Sequence, residues 1–226
     1  MTKPILEQLS SQNCILLMID LQPQMAFGVS SIDRQELKNN AAAIAKAAKV
    51  FNVPTFITTV ETESFSGYTF PEILNVFPNA PVYERTSMNS WDSKKLRDDI
   101  KAVGRKKLIM CGLWTEVCIN TAANSAMSDD FEVYVVADVC GATSPTAQKC
   151  AMQRMIQAGV RPLTWQQLML EWQRDWARRD TYTAVMDIVR EHSGGYGMGV
   201  DYAYSMVHKQ QQRGSWKGEM VKAPTA

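Results

Sequence analysis

The chain has 226 residues, 46% of them hydrophobic and 21% charged, with 24 Lys+Arg against 23 Asp+Glu and a formal net charge of +1. A composition of this kind belongs to a globular protein with its own core. It gives no reason to expect a nucleic acid or an anionic membrane surface as a partner, and no apolar run approaches the length of a membrane span. The opening "MTKPILEQLS" lacks the apolar core of a secretory signal, so the expected location is cytoplasmic.

In chain order, strand and helix signals alternate. "NCILLMID" is a continuous apolar run, the mark of a strand buried on both faces. The alanines and charges of "DRQELKNNAAAIAKAAKVF" repeat at helical spacing, and "VPTFITTV" is β-branched and reads as strand. The segment 61–81 is loop-rich and is expected to fold over the end of the sheet. "VYE" is a short strand. "DSKKLRDDIKAVGRK" is an amphipathic helix with Gly104 placed to end it. "KLIMCG" is strand, and a helix starts near Thr115 as N-cap, with Cys118 in its first turn. "FEVYVVAD" is a fifth strand closed by Asp138. Ser144 and Pro145 open the next helix as N-cap and first residue. "RPLTW" is a sixth strand, followed by one long helix over about 165–191.

This order predicts a parallel sheet with helices on both faces. One domain is expected over residues 1–192, and residues 193–226 read as an extended tail or oligomerisation arm. The long helix carries Leu168, Leu170, Trp172, Trp176, Tyr182, Val185 and Ile188, more apolar surface than one stripe needs, so its second face is expected at a subunit interface.

Ligands of open parallel sheets bind at the carboxyl ends of the strands. Asp20 ends the first strand, Arg85 follows the third and Cys118 follows the fourth. The N–H groups and positive end of a helix at Cys118 favour a thiolate and can hold an oxyanion, whereas Glu116 beside it opposes the thiolate. By position alone a buried, inert cysteine is as good a reading. The five cysteines form no CxxC pair, so reduced thiols are expected. His192 and His208 are too few and too late for a typical zinc site. Gly195, Gly197 and Gly199 do not form a dinucleotide fingerprint, and there is no P-loop. No metal and no cofactor are expected.

"LLMIDLQPQMAF", "RTSMNSW" and "GLWTEVCINTAANSAMSDDFEVYVVAD" together resemble the isochorismatase-like cysteine hydrolase superfamily, in its YcaC-related branch. The resemblance runs from about Cys14 to about Glu191. It implies a Rossmann-like three-layer α/β/α sandwich with a six-stranded, mainly parallel sheet, and a catalytic triad of aspartate, lysine and cysteine. Asp20 and Cys118 match two members, while the place of the lysine is taken by Arg85, which cannot shuttle a proton. It further implies a non-proline cis peptide at Trp114–Thr115, an oxyanion hole from the N–H groups of Thr115 and Cys118, and a homo-oligomer, perhaps an octamer. Gln22, Phe27, Asn89, Trp91 and Trp114 are expected to line the substrate pocket. The activity implied is hydrolysis of a C–N, amide-like bond of a small molecule through an acyl-enzyme. The alternatives are vinyl-ether hydrolysis, a ring-forming oligomer that has lost its chemistry at Arg85, and a thiol redox sensor.

Overall fold

In the computed structural model, which describes residues 7–209, six parallel strands lie in the order β3-β2-β1-β4-β5-β6. They are β1 Cys14–Ile19, β2 Thr55–Val60, β3 Val82–Arg85, β4 Lys107–Leu113, β5 Glu132–Gly141 and β6 Arg161–Leu163. Every residue of β1 and β4 is buried, as their unbroken apolar sequences require of strands at the centre of a doubly covered sheet. The edge strand β3 is mostly exposed until Arg85.

Nine α-helices connect and cover the sheet among the described residues: α1 Pro23–Phe27, α2 Arg34–Val50, α3 Pro71–Leu74, α4 Lys94–Ala102, α5 Asn120–Ser128, α6 Pro145–Ala158, α7 Trp165–Gln173, α8 Arg179–His192 and α9 Gly195–Tyr202. The α2 helix packs with α7 against β5, and α5 packs with α6. Six buried alanines between Ala41 and Ala48 let α2 lie close to the sheet. Asp33 caps its start, accepting from the N–H groups of Gln35 and Glu36. Ser144 caps α6 as its sequence predicts, with Pro145 in the first turn, and Gly104 follows α4 at φ 75°.

The chain winds outward through β2 and β3 on one side of β1, then through β4, β5 and β6 on the other. The winding direction therefore reverses between β1 and β4, and the carboxyl ends of these two strands form the switch point where such sheets bind ligands.

Three elements differ from the sequence reading. The long helix expected over 165–191 is two helices, α7 and α8, parted at Arg174, whose φ is 62°. The break is held by polar contacts: Gln173 Nε2 donates to the carbonyls of Asp175 and Arg178, and Arg174 reaches back to the Leu9 carbonyl. No proline or glycine marks it. β5 continues past Asp138 to Gly141, and Asp138 instead accepts from the N–H of Trp165 at 2.9 Å, fixing the start of α7. Residues 195–207, read as extended, are helical. Gly197 is needed there because a Cβ would lie 2.5 Å from the Val189 carbonyl oxygen. Residues 210–226 of the expected arm, and residues 1–6, lie outside the described residues.

The chain divides into two compact units at Val185/Met186. The first holds the whole sheet. The second is helical through Val207, with an Arg190–Asp201 ion pair of its own at 3.1 Å. In the first unit Leu168, Trp172 and Val185 are buried and Trp176 is exposed. Among the described residues no helix is long and apolar enough to cross a membrane.

Candidate active site

The backbone at the switch point is irregular. Asp20 leaves β1 with φ 54°, a left-handed conformation rare for a residue other than glycine. It is locked by its own N–H, which donates to the Thr58 carbonyl at 3.0 Å. Opposite it, β4 carries a register irregularity between Met110 and Gly112. Gly112 has φ 138°, and a Cβ there would sit 1.8 Å from the carbonyl oxygen of Ile19. Only glycine lets β1 and β4 approach this closely at the point where the chain turns into the site.

β4 then runs into a wide helical turn, Thr115–Ile119, that leads into α5. A cis peptide bond precedes Trp114, at Leu113–Trp114. That is one bond earlier than the Trp114–Thr115 position the sequence reading gave. Trp114, and not Thr115, is the cap residue: its carbonyl accepts from the N–H groups of Val117 and Ile119. The Thr115 side chain is buried, and its hydroxyl has no hydrogen-bond partner.

The three candidate catalytic side chains meet. Arg85 grips Asp20 with two parallel hydrogen bonds, Nη1 to Oδ1 and Nη2 to Oδ2, each 2.6 Å. This is the bidentate geometry that a lysine cannot make. Nη1 also donates to the Thr59 carbonyl at 3.0 Å, and the Thr58 hydroxyl donates to Asp20 Oδ1 at 3.2 Å. The Cys118 thiol comes within electrostatic reach of both the Asp20 carboxylate and the Arg85 guanidinium. Asp20 is fully buried and Cys118 is 1% exposed, so water does not screen these contacts.

Burial pushes the Asp20 carboxyl above its ordinary range, against the pull of the Arg85 hydrogen bonds and charge. It also pushes the Cys118 thiol up to about 12, with the neighbouring Asp20 charge adding to the rise and Arg85 opposing it. The start of a helix favours a thiolate; burial and the Asp20 charge oppose it here. Glu116, the feared anion, is turned away and accepts from the N–H and hydroxyl of Thr143. The resting arrangement is therefore a thiol beside a carboxylate that arginine holds by two hydrogen bonds.

The five expected pocket residues divide. Trp114 is half-buried, and its Nε1 donates to the Met25 carbonyl at 2.8 Å; Phe27, two residues on, is 68% exposed. The Gln22 amide is buried and spent on backbone groups of Val60 and Gly67. Trp91 is buried against Phe131, edge to face at 5.4 Å, and donates to Asp129. Asn89 caps the short turn at Ser90 and donates to Ser125. Thr58 and Gly112 escaped the sequence reading; a glycine inside the apolar run "LIMCGL" was the one available signal. Among the described residues no group of three or more His, Cys, Asp or Glu is gathered as a metal site requires.

The isochorismatase domain model matches residues 14–167, the segment that builds all of this geometry. The chain belongs to the isochorismatase family. Within it, the probable hydrolase YcaC of Escherichia coli strain K12 is 36% identical over 177 residues, covering 78% of this chain and 85% of the relative. The solved structure of that YcaC gene product, described as an octameric hydrolase of unknown specificity, has a TM-score of 0.85 at 32% identity, covering 91% of this chain and all of the other. YcaC from Pseudomonas aeruginosa, solved with hexane-2,5-diol and covalent acrylamide, has a TM-score of 0.84 at 31% identity and covers 88% and 98% of the two chains. Among isochorismatase-family hydrolases this one therefore stands with the YcaC-like chains.

Proposed function

We propose that the protein is a cysteine hydrolase that cleaves a C–N, amide-like bond of a small molecule. The observation that carries the reading is the buried cluster of Cys118, Asp20 and Arg85, in which Arg85 holds the Asp20 carboxylate by two hydrogen bonds.

Burial and the Asp20 charge raise the thiol pKa, so in this reading proton transfer accompanies attack. As Sγ bonds to the carbonyl carbon, its proton passes to Asp20 Oδ. The carbonyl oxygen takes up the electron pair and is held by backbone N–H groups of the Thr115–Cys118 turn. When the tetrahedral adduct collapses, the C–N bond breaks and Asp20 returns the proton to the departing nitrogen, releasing ammonia or an amine. Water then adds to the thioester carbon, Asp20 takes one of its protons, and the carboxylic acid leaves as Cys118 recovers its hydrogen. Arg85 takes no proton at any stage. It orients Asp20 and balances its charge, which is the part of a lysine's role that a guanidinium can fill.

Assembly as a homo-oligomer is proposed with it, supported by the octameric description of the Escherichia coli relative. The test is ammonia release from a panel of primary amides, with acyl-Cys118 trapped and detected by intact mass. Turnover abolished by Cys118→Ala supports the reading. Release that Cys118→Ala leaves untouched sinks it. Vinyl-ether hydrolysis finds less support, since it makes no use of a thiol placed beside a carboxylate.

A further inference from the structure

The reacting groups are sealed. Cys118 is 1% exposed and Asp20 fully buried, so no substrate carbon reaches Sγ unless part of the chain moves. Two segments that leave the sheet beside the site share one fastening. The Gln22 carbonyl accepts from Ala26 N–H at 3.0 Å and so starts α1. Its side chain reaches the other way. Oε1 accepts from Val60 N–H at 3.0 Å, while Nε2 donates to the Val60 carbonyl at 3.1 Å and to the Gly67 carbonyl at 2.6 Å. Gly67 lies against the Pro23 ring, and Phe70 N–H donates to the Leu21 carbonyl at 2.9 Å.

The far side of α1 closes on the nucleophile's own turn. Trp114, the residue that caps that turn, donates to the Met25 carbonyl, and its ring leaves no room for a Cβ at Gly28. The segments join the sheet through left-handed residues, Asp20 at φ 54° and Glu61 at φ 48°, with Gly67 at 77° inside. Strain of this kind persists only where the surroundings impose it, and is released when they let go. Phe27, Phe65 and Tyr68, on these same segments, are all more than half exposed.

We propose that residues 21–28 and 61–70 form a cover over Cys118, and that Gln22 is its latch: a positioning residue that opens the site by releasing Gly67 and Val60. The inference rests on Cys118 being the reacting atom.

The four buried cysteines make the test internal, because Cys14, Cys111 and Cys140 lie on strands of the sheet and not on the nucleophile's turn. Alkylation by iodoacetamide at pH 8 is followed residue by residue, by peptide mass spectrometry, in the wild type and in Gln22→Met. The expected result is a rise of at least tenfold at Cys118 with the three sheet cysteines unchanged. An unchanged Cys118, or a rise shared by all four, overturns the latch. If Gln22→Met does not fold, hydrogen exchange on the wild type decides. The amides of Ser66, Gly67 and Phe70 are expected to exchange together and at least tenfold faster than those of β1 and β4; exchange as slow as those strands overturns the cover. Faster alkylation of Cys118 without Cys118-dependent turnover of any amide leaves the latch standing and removes the hydrolase reading. Cys118-dependent turnover with no change of access in Gln22→Met does the reverse.

Discussion

At the amino end of the sheet Lys107, its side chain 3% exposed, pairs with Glu132 at 2.6 Å and Glu7 at 3.1 Å, and Arg161 joins Glu132 at 3.5 Å. At the carboxyl end Asp20 pairs with Arg85 at 2.6 Å with neither side chain more than 5% exposed. The first cluster opens outward: the strands around it are regular, Lys107 is buried, but its glutamates, Glu7 67% and Glu132 25% exposed, keep part of their hydration. The second is closed, sits on backbone in a left-handed turn, and has a thiol as its next neighbour. An ion pair sealed from water is poor evidence for stability, since desolvation consumes most of its attraction. A fold that needed only to close its sheet ends could use the first arrangement twice. The second makes sense as a charge kept for chemistry.

The contrast can be broken hardest at Gly112. Gly112→Ala drives a methyl into the Ile19 carbonyl at the strained end, and is expected to cost more than about 4 kcal/mol, the scale reserved for backbone strain and overpacking; recovery of soluble protein and urea unfolding measure it. Next comes Asp20→Ala, which strands Arg85 in the interior and is expected to cost about 3–5 kcal/mol by the same unfolding measurement. Lys107→Met, at the open end, is expected to cost only about 1 kcal/mol. Its pH dependence sharpens the comparison. The Lys107 pKa is raised by its hydrogen bonds to Glu132 and Glu7, against the opposing cost of burial. Its contribution is thus complete below the ordinary lysine value of 10.5 and is lost as pH rises through the higher folded value. The stability gap between wild type and Lys107→Met should close in strong alkali, and a gap that persists there contradicts the pairing. The smallest effect belongs to reactivity. In the native protein Cys118 alkylation should climb about tenfold per pH unit with no plateau before about 12; a plateau near 8 would show a thiolate already formed.

The sheet was readable because its signal is local. "CILLMI" and "KLIMCGL" have no polar residue with which to face water, so each had to be a central strand. The site's residue types were readable for the same reason, lying directly after those strands. What stayed hidden depends on contacts distant in sequence. The break at Arg174 is made by Gln173 and the Leu9 carbonyl, and neither leaves a mark in "QRDWARR". Gln22 looked like a pocket residue because it stands beside Asp20. Its actual bonds run to Val60 and Gly67, which only the folded chain brings near. At Cys118 helix position is visible in a sequence and depth of burial is not, so by position alone the activated and the buried, inert cysteine were equal readings.

Cys150, on α6, is exposed, while the other four thiols are buried. A maleimide dye added to the native wild-type protein at neutral pH should attach at one place. That gives a ready fluorescent handle on the sheet-bearing unit, with no thiol to remove and every residue of the candidate site left as it is.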